Sequence, residues 1–132
     1  LLPRAQQFTN AGNPQTATYD LTVERWGSDY ADPYDFVNIL LDGGQVTQSQ
    51  HNNYAYFNVA KYNRQMLAAS LLTGSKRGTA YAALDGALMR ENPPWAPLVN
   101  SNDRSFLSSR VGCITINEAH GSGPLLNVVC MK

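Results

Sequence analysis

Apolar residues recur at helical spacing along much of the chain up to Glu91. A short helix is predicted at 4–11, where Gly12 and the turn Asn13-Pro14 would end it. Three longer candidates follow, each with apolar positions three or four residues apart and a glycine or proline at its end. They are the segments from Asp32 to Gly43, from about Asn58 to Thr73 and from about Lys76 to Glu91.

The start of the first of these longer helices has the residues that helix N-termini favour. Asp32 is predicted to be the N-cap, Pro33 the first helical residue, and Asp35 a first-turn acid that suits the helix dipole. Phe36 and Ile39 begin its apolar stripe. The sequence therefore predicts a well-defined helix start directly after Asp32.

Period-two alternation predicts a half-buried strand at Thr18–Trp26, with Tyr19, Leu21 and Val23 on the buried face. The polar stretch Gln45–Asn53 is predicted to be a surface loop. Further strands are predicted at 95–100, 105–109 and 113–117, before a last apolar run at 125–131. We therefore expect an α+β fold of mixed strands with about three helices, the stretch at 4–11 being a further candidate.

Length and charge narrow the class of protein. The chain has 132 residues, 43% of them hydrophobic, which suits one modest domain or a piece of a larger protein. Its longest apolar run, Met66–Leu72, is interrupted by Ser70 and falls short of the roughly 20 residues that span a membrane. Ten basic residues balance ten acidic ones without a basic cluster. Nucleic acid and anionic membranes are therefore poor candidates for a partner.

The polar residues are mostly uncharged. Charged residues make up 15% of the chain, against about 25% in an average soluble domain. Side-chain amides are nearly as numerous as charges, and seven tyrosines add further hydroxyls. Such groups suit a surface that meets peptides or sugars, although a compositional bias of the lineage explains them equally well. The start Leu1-Leu2-Pro3-Arg4 has no signal peptide and resembles the end of a strand, as expected of a fragment.

The two cysteines, Cys113 and Cys130, leave two interpretations. They would form a disulfide in a secreted chain and two unrelated thiols in a cytosolic one. A zinc site is not expected, because His51 and His120 are the only histidines and the chain has no CxxC motif. No metal site or cofactor is therefore predicted.

Catalytic motifs are weak. The chain has no Gly-x-Ser-x-Gly nucleophile elbow, and Gly121-Ser122-Gly123 is predicted to be a turn. Cys113 and His120 could act as a thiol nucleophile and its base, but Cys130 is a simpler partner for Cys113. We therefore predict that the protein is not an enzyme.

Asp29 is the strongest candidate for a ligand contact. It follows a predicted strand that ends in Trp26-Gly27 and precedes the helix that begins at Asp32. Helix capping explains Asp32 and Asp35 but not Asp29, and binding groups favour such strand-to-loop positions. The central glycine and final glutamate of an EF-hand calcium loop are missing.

The run Trp26–Phe36, WGSDYADPYDF, resembles the WxADYxDPxxF signature of family 5 extracellular solute-binding proteins, the peptide-binding class of ABC importers. Other stretches agree with that family in order and spacing. They are NNYAYFN at 52–58, Tyr62-Asn63, AYAALDGALM at 80–89, PPWAP at 93–97, Arg110–Cys113 and the terminal Cys130–Lys132. The resemblance covers residues 14 to 132.

The resemblance implies a site and a place in a larger fold. Members of the family are two-lobed proteins of the periplasmic-binding-protein-like class, several times this length, that close on a ligand. Residues 1–97 would belong to the second, ligand-side lobe, and residues 98–132 would return toward the first. Asp29 would pair with the ammonium of a peptide ligand, while the backbone around Trp26, Gly27 and Ser28 would bind the peptide as an added strand.

The resemblance also implies partners and a location. These are a peptide or other small solute, the membrane permease of the importer and the remaining lobes of the full-length protein. The location would be extracellular or periplasmic, with or without a lipoprotein anchor, and export would oxidise Cys113 and Cys130 to a disulfide. Nickel and oligosaccharides are also carried within the family, so several solutes stay open. The alternative is a small secreted α+β interaction domain that binds a protein or carbohydrate.

Overall fold

The computed structural model describes residues 3–47, 49–100, 102, 104–116 and 124–132. Their fold is α+β, with four α-helices and one two-stranded antiparallel sheet. The helices are α1 (Arg4–Ala11), α2 (Tyr34–Leu41), α3 (Ala60–Ser70) and α4 (Gly74–Glu91). The strands are β1 (Val111–Cys113) and β2 (Cys130–Met131), and single 3-10 turns lie at Gly43–Gln45 and Leu126–Val128.

The chain divides into two compact units. The first consists of Leu1–Glu24 and Asp32–Ala96, and it contains all four helices. The second consists of Arg25–Ala31 and Pro97–Lys132, and it contains the sheet. The assignment of residues 1–97 and 98–132 to parts of two lobes stays a prediction.

Apolar positions of α2, α3 and α4 form the core of the first unit. Tyr62, Met66 and Ala69 are buried at the three- and four-residue spacing that the sequence predicted for α3. The buried residues of the other two helices are Val37, Leu40 and Leu41 in α2 and Tyr81, Leu84 and Leu88 in α4. Burial of one such large apolar side chain contributes about 1.5–3 kcal/mol, so this spacing decides which helix faces meet.

Two of the helices begin elsewhere than the sequence suggested. The helix expected from about Asn58 begins at Ala60, directly after Val59, and the Asn58 Oδ1 accepts a hydrogen bond from Asn63 Nδ2 at 2.9 Å. Helix α4 begins at Gly74 rather than near Lys76. Gly74 has a φ of +56°, a conformation that glycine adopts without steric cost.

The predicted strand at Thr18–Trp26 is not formed, because within the described residues the segment has no regular secondary structure and joins no sheet. Its predicted buried face is confirmed at Tyr19, which is partly buried, and wrong at Leu21 and Val23. Leu21 and Val23 are 94% and 71% exposed, whereas Thr22 and Glu24 between them are partly buried. The cause lies in α1, because Gln7 Nε2 donates to Glu24 Oε1 at 3.2 Å and to Thr22 Oγ1 at 3.4 Å.

The C-terminal strands are shorter than predicted. No strand is present at 95–100 or 105–109 among the residues that can be described there. Strand β1 pairs antiparallel with β2, so that Val111 lies opposite Met131 and Cys113 opposite Cys130. An isolated bridge joins Ile116 to Pro124. The predicted turn at Gly121-Ser122-Gly123 lies outside the described residues.

Candidate functional site

The predicted ligand segment, Trp26–Asp29, lies in the second unit and has no regular secondary structure up to a bend that begins at Asp29. Its side chains alternate in exposure: Trp26 and Ser28 are partly buried, while Gly27 and Asp29 are exposed. A Cβ atom added at Gly27 would meet nothing within 4 Å. Gly27 and Asp29 therefore lie on the solvent-exposed side of this segment.

Trp26 contributes a polar atom to the buried side of this segment. Its indole Nε1 is buried and has no hydrogen-bond partner among the described residues. A buried donor without a partner is uncommon in folded proteins, because its desolvation is uncompensated. The buried side of this segment therefore includes one polar atom, Nε1 of Trp26.

Within the first unit, Asp32 forms a bidentate ion pair with Arg77 of α4. Arg77 Nε donates to Asp32 Oδ2 at 2.8 Å and Arg77 Nη2 donates to Asp32 Oδ1 at 2.7 Å. Asp32 Oδ1 also accepts the backbone N–H of Tyr34 at 2.8 Å, so the carboxylate bonds to the start of α2. The helix begins at Tyr34 with Pro33 before it, one residue later than the sequence predicted. The hydrogen bond from Arg77 is the main cause that lowers the pKa of Asp32 below its ordinary value.

The third nitrogen of the same guanidinium binds the end of α3. Arg77 Nη1 donates to three backbone carbonyl groups near that terminus, those of Ala69, Ser70 and Leu72, at 3.2, 2.7 and 3.3 Å. The last carbonyl groups of a helix have no partner within the helix and attract cations. One arginine thus joins the start of α2 to the end of α3, and we call this arrangement the Asp32–Arg77 junction.

Tyr81 supports the junction from one turn further along α4. The Arg77 guanidinium carbon lies 5.1 Å from the centre of the Tyr81 ring, within the range of a cation–π contact. The Tyr81 hydroxyl donates to Asn38 Oδ1 of α2 at 2.7 Å, and both residues are buried. Two separate contacts therefore tie α4 to α2.

The expectation that Gln45–Asn53 is a surface loop is wrong at Asn53, which is fully buried. Its Nδ2 donates to the carbonyl oxygens of Phe57 and Asp42 at 2.8 and 3.2 Å. Its Oδ1 accepts the backbone N–H of Phe57 at 3.0 Å. This loop is therefore organised from the inside by one amide side chain, and its polar composition does not place all of it at the surface.

His51 is a second buried side chain of that loop, with 5% of its surface exposed. Neither ring nitrogen has a hydrogen-bond partner among the described residues, and the Tyr56 ring lies edge-on at 4.9 Å between centres. Burial lowers the pKa of His51 below its ordinary value. Burial of His51 in the first unit therefore favours its neutral form.

A groove of about 280 Å³ lies between α3 and α4. It is lined mainly by alanine, and Gln65 is its one polar lining residue. Binding sites for small molecules combine apolar walls with several convergent polar groups. The groove lacks those groups, so it is a weaker candidate than the segment Trp26–Asp29.

The structure also bears on metals and catalysis. Within the described ranges, no three histidine, cysteine or acidic side chains are grouped so that they could hold a metal ion. Cys113 is bonded to Cys130, so it has no thiol to act as a nucleophile. His120, the base considered for it, lies outside the described residues. Among the helices described, none is long and apolar enough to cross a membrane.

Sequence reasoning named the segment Trp26–Asp29 but missed two side chains, Arg77 and Asn53, whose hydrogen bonds organise the first unit. Arg77 is 45 residues from Asp32, and neither residue carries a local signal for the other. Asn53 lies in the NNYAYFN run, but nothing in that run distinguishes it from Asn52. Only the complete burial of Asn53, against the partial burial of Asn52, separates them.

Family models, curated proteins and solved structures were compared with the chain, and none matches it. The candidate site therefore depends on the residues of the segment Trp26–Asp29 and on their alternating exposure.

Proposed function

We propose that this chain is the C-terminal part of a solute-binding protein that captures peptides for an ABC importer. Asp29 binds the N-terminal ammonium of the peptide, and the backbone at Trp26–Ser28 binds the peptide main chain. The observation that supports the proposal is the alternating exposure along Trp26–Asp29, which leaves Gly27 and Asp29 at the surface.

This pair of groups suits a ligand whose side chains vary. Every unmodified peptide has one ammonium group and a regular series of amide groups, whatever its sequence. A carboxylate recognises the first, and an added strand recognises the second. The protein can then accept many peptides without a dedicated pocket for each side chain.

Closure of two lobes over the ligand gives Asp29 its energetic importance. An ion pair in water contributes little, whereas one that is withdrawn from water and then broken costs about 2–5 kcal/mol. The permease of the importer and the remaining lobes of the full-length protein are the partners that this proposal requires. The location that goes with it is extracellular or periplasmic, and the protein performs no chemistry on its ligand.

The substitution Asp29→Asn tests the proposal in the full-length protein. Calorimetry would compare one peptide with a free N-terminus and the same peptide after N-acetylation. Because only the first presents an ammonium, we expect its affinity to fall by at least about tenfold, equivalent to about 1.4 kcal/mol, and that of the second to change little.

Asp85→Asn is the matched control, since Asp85 is an exposed carboxylate on α4. It should leave both affinities unchanged. Equal losses for the two peptides in Asp29→Asn would refute the recognition of the ammonium by Asp29.

A further inference from the structure

We propose that protonation of His51 detaches α1 from the loop at residues 51–56, while α2, α3 and α4 stay packed together. His51, this loop and all four helices belong to the first unit. The response to pH is independent of the peptide site proposed above. The N-terminal part of the first unit then opens in mild acid while its core persists.

Hydrogen bonds join this loop to the end of α1. The backbone N–H of His51 donates to the carbonyl oxygen of Gly12 at 3.2 Å. The hydroxyl of Tyr56 donates to the carbonyl oxygen of Ala11 at 3.0 Å, and Ala11 is buried. These bonds would break together if α1 moved away from the loop.

Two more tyrosines extend the same contact. The Tyr54 ring stacks on the Phe8 ring of α1, with 6.2 Å between their centres. The hydroxyl of Tyr19, in the segment after α1, lies 2.8 Å from the carbonyl oxygen of Tyr54 and 3.4 Å from that of Ala11. The loop therefore holds both α1 and the segment that follows it, and we call this set of interactions the α1–loop contact.

The two backbones approach closely where the α1–loop contact includes His51. A Cβ atom added at Gly12 would lie 2.5 Å from the carbonyl oxygen of His51 and 3.3 Å from its backbone nitrogen. Gly12 has a φ of −86°, which alanine also adopts, so an alanine there would be opposed by steric overlap alone. The contact beside His51 therefore leaves no room for one additional methyl group.

The His51 ring is buried and unpaired within the described part of the chain. Its exposure is 5%, and neither ring nitrogen has a hydrogen-bond partner there. A protonated imidazole carries two N–H donors, and a buried charge without partners is costly. Protonation therefore favours conformations in which water reaches the ring. Because the backbone and the neighbours of His51 contact α1, separation of the α1–loop contact is the opening that exposes the ring.

Tyrosines are the titratable groups that face His51. Tyr54 and Tyr56 belong to its own loop, and Tyr19 faces them from the segment after α1. Burial raises the pKa of all three, that of Tyr19 to about 12, so their hydroxyls stay protonated in acid. Glu24 is a charged group near them, since it interacts electrostatically with Tyr19 and Tyr54. A variant of Glu24 is therefore needed as a control.

The expected size of the effect follows from proton binding. In the open form His51 titrates at its ordinary pKa of 6.5, whereas burial lowers its pKa in the closed form. The closed form is therefore favoured above about pH 6.5 and loses stability as the pH falls. Between pH 7.5 and pH 5.5, opening becomes more favourable by up to about tenfold.

Amide hydrogen exchange tests the proposal in the wild-type chain and in His51→Phe, which keeps an aromatic ring and cannot be protonated. Protection factors, which correct for the intrinsic dependence of exchange on pH, would be compared at pH 7.5 and pH 5.5. We expect protection at residues 8–12 to fall about threefold to tenfold in the wild type and less than about twofold in His51→Phe. At both pH values it should stay below the protection of α3 and α4, because the opening is local.

An equal acid response in the two proteins would overturn the proposal, and so would the absence of a response in the wild type. Equal protection factors in α1, α3 and α4 would also overturn it, since α1 would then open only when the whole unit unfolds. If His51→Phe does not fold, His51→Leu removes the same titrating group and provides the comparison. Glu24→Gln should keep the wild-type response, and its loss there would assign the response to Glu24 instead of His51.

Gly12→Ala tests the α1–loop contact at a single pH. Because the added Cβ atom overlaps the backbone of His51, we expect residues 8–12 to lose protection already at pH 7.5, with α3 and α4 still protected. Gly78→Ala is the matched control, since a Cβ atom there meets nothing within 4 Å. Wild-type protection of α1 in Gly12→Ala, or the same loss in Gly78→Ala, would refute the α1–loop contact as the opening that exposes His51.

Discussion

At the scale of single residues, buried polar side chains decide the shape of the loop between α2 and α3. The side-chain amide of Asn53 forms hydrogen bonds there with three main-chain groups of Asp42 and Phe57, in place of bonds between backbone groups. Each buried polar group left without a partner costs about 1–3 kcal/mol. A hydrophobic or truncated side chain at this position would therefore leave several such groups unpaired at once.

His51 in the same loop makes the stability of the protein depend on pH. Its pKa in the folded state lies below the ordinary value of 6.5, so the unfolded chain takes up a proton first as the pH falls. The free energy of unfolding should then decrease below about pH 6.5 and level off beneath the folded-state pKa. The neighbouring Tyr54 and Tyr56 do not oppose this, because burial raises their pKa values and they stay uncharged.

Denaturant unfolding at pH 7.5 and pH 5.5 would measure this effect in the wild-type chain and in His51→Phe. The variant keeps an aromatic ring and removes the titrating group, and His120 is present in both chains. We expect the wild type to lose more stability than the variant over this interval. The same loss in both proteins would show that His51 does not contribute to it.

At the scale of elements, two glycines of α4 separate the effect of backbone conformation on stability from the effect of the space available to a side chain. Gly74 and Gly78 lie in the first half of the same helix, and a Cβ atom at either would meet nothing within 4 Å. They differ in backbone, because Gly74 has a φ of +56° and Gly78 has no such positive φ. Any difference between alanine substitutions at these positions therefore reports on the backbone alone.

We expect Gly78→Ala to stabilise the protein by about 0.5–1 kcal/mol, since alanine lowers the entropy of the unfolded chain and is favoured in a helix. Gly74→Ala should destabilise it by about 1–2 kcal/mol, because the left-handed conformation is costly for residues with a Cβ atom. Midpoints of urea unfolding would measure both. Two changes of the same sign would contradict the assignment of a left-handed residue at the start of α4.

At the scale of the whole molecule, the two units are stabilised by different means. The first buries side chains of three helices, whereas the second has a two-stranded sheet and several exposed large apolar residues, among them Leu98, Val99 and Phe106. The Cys113–Cys130 disulfide, with 5.0 Å between the Cα atoms, joins the two strands of that sheet. The disulfide therefore contributes to the stability of the second unit, as side-chain packing does to that of the first.

The prediction at the scale of the whole molecule concerns the Cys113–Cys130 disulfide. Its two cysteines are 17 residues apart, and closing a loop of that length contributes about 3 kcal/mol in the chain-entropy model. Thiol titration of the unfolded, unreduced protein should therefore find no free thiol. The double variant Cys113→Ser/Cys130→Ser should lose protection from amide hydrogen exchange in β1 and β2, with α3 and α4 little changed. Two free thiols would refute the bond and weaken the proposed extracellular location.

Local signals in the sequence were sufficient for the helices. Apolar spacing and the breaks at Gly12, Gly43 and Pro93 placed all four within a few residues of their positions, because a helix makes its hydrogen bonds within its own segment. The two cysteines likewise restricted any intramolecular disulfide to a single pairing. These features depend on neighbours in the chain or on a count of residues.

Features that depend on distant partners were decided by the tertiary structure. The alternation at Thr18–Trp26 predicted an extended segment, but its face was set by Gln7, whose hydrogen bonds drew Thr22 and Glu24 inward. Arg77 finds Asp32 across 45 residues, a pairing that no local pattern encodes. A strand or an ion pair takes its partner from elsewhere in the chain, so periodicity predicts its conformation and only packing determines which face is buried and which charges meet.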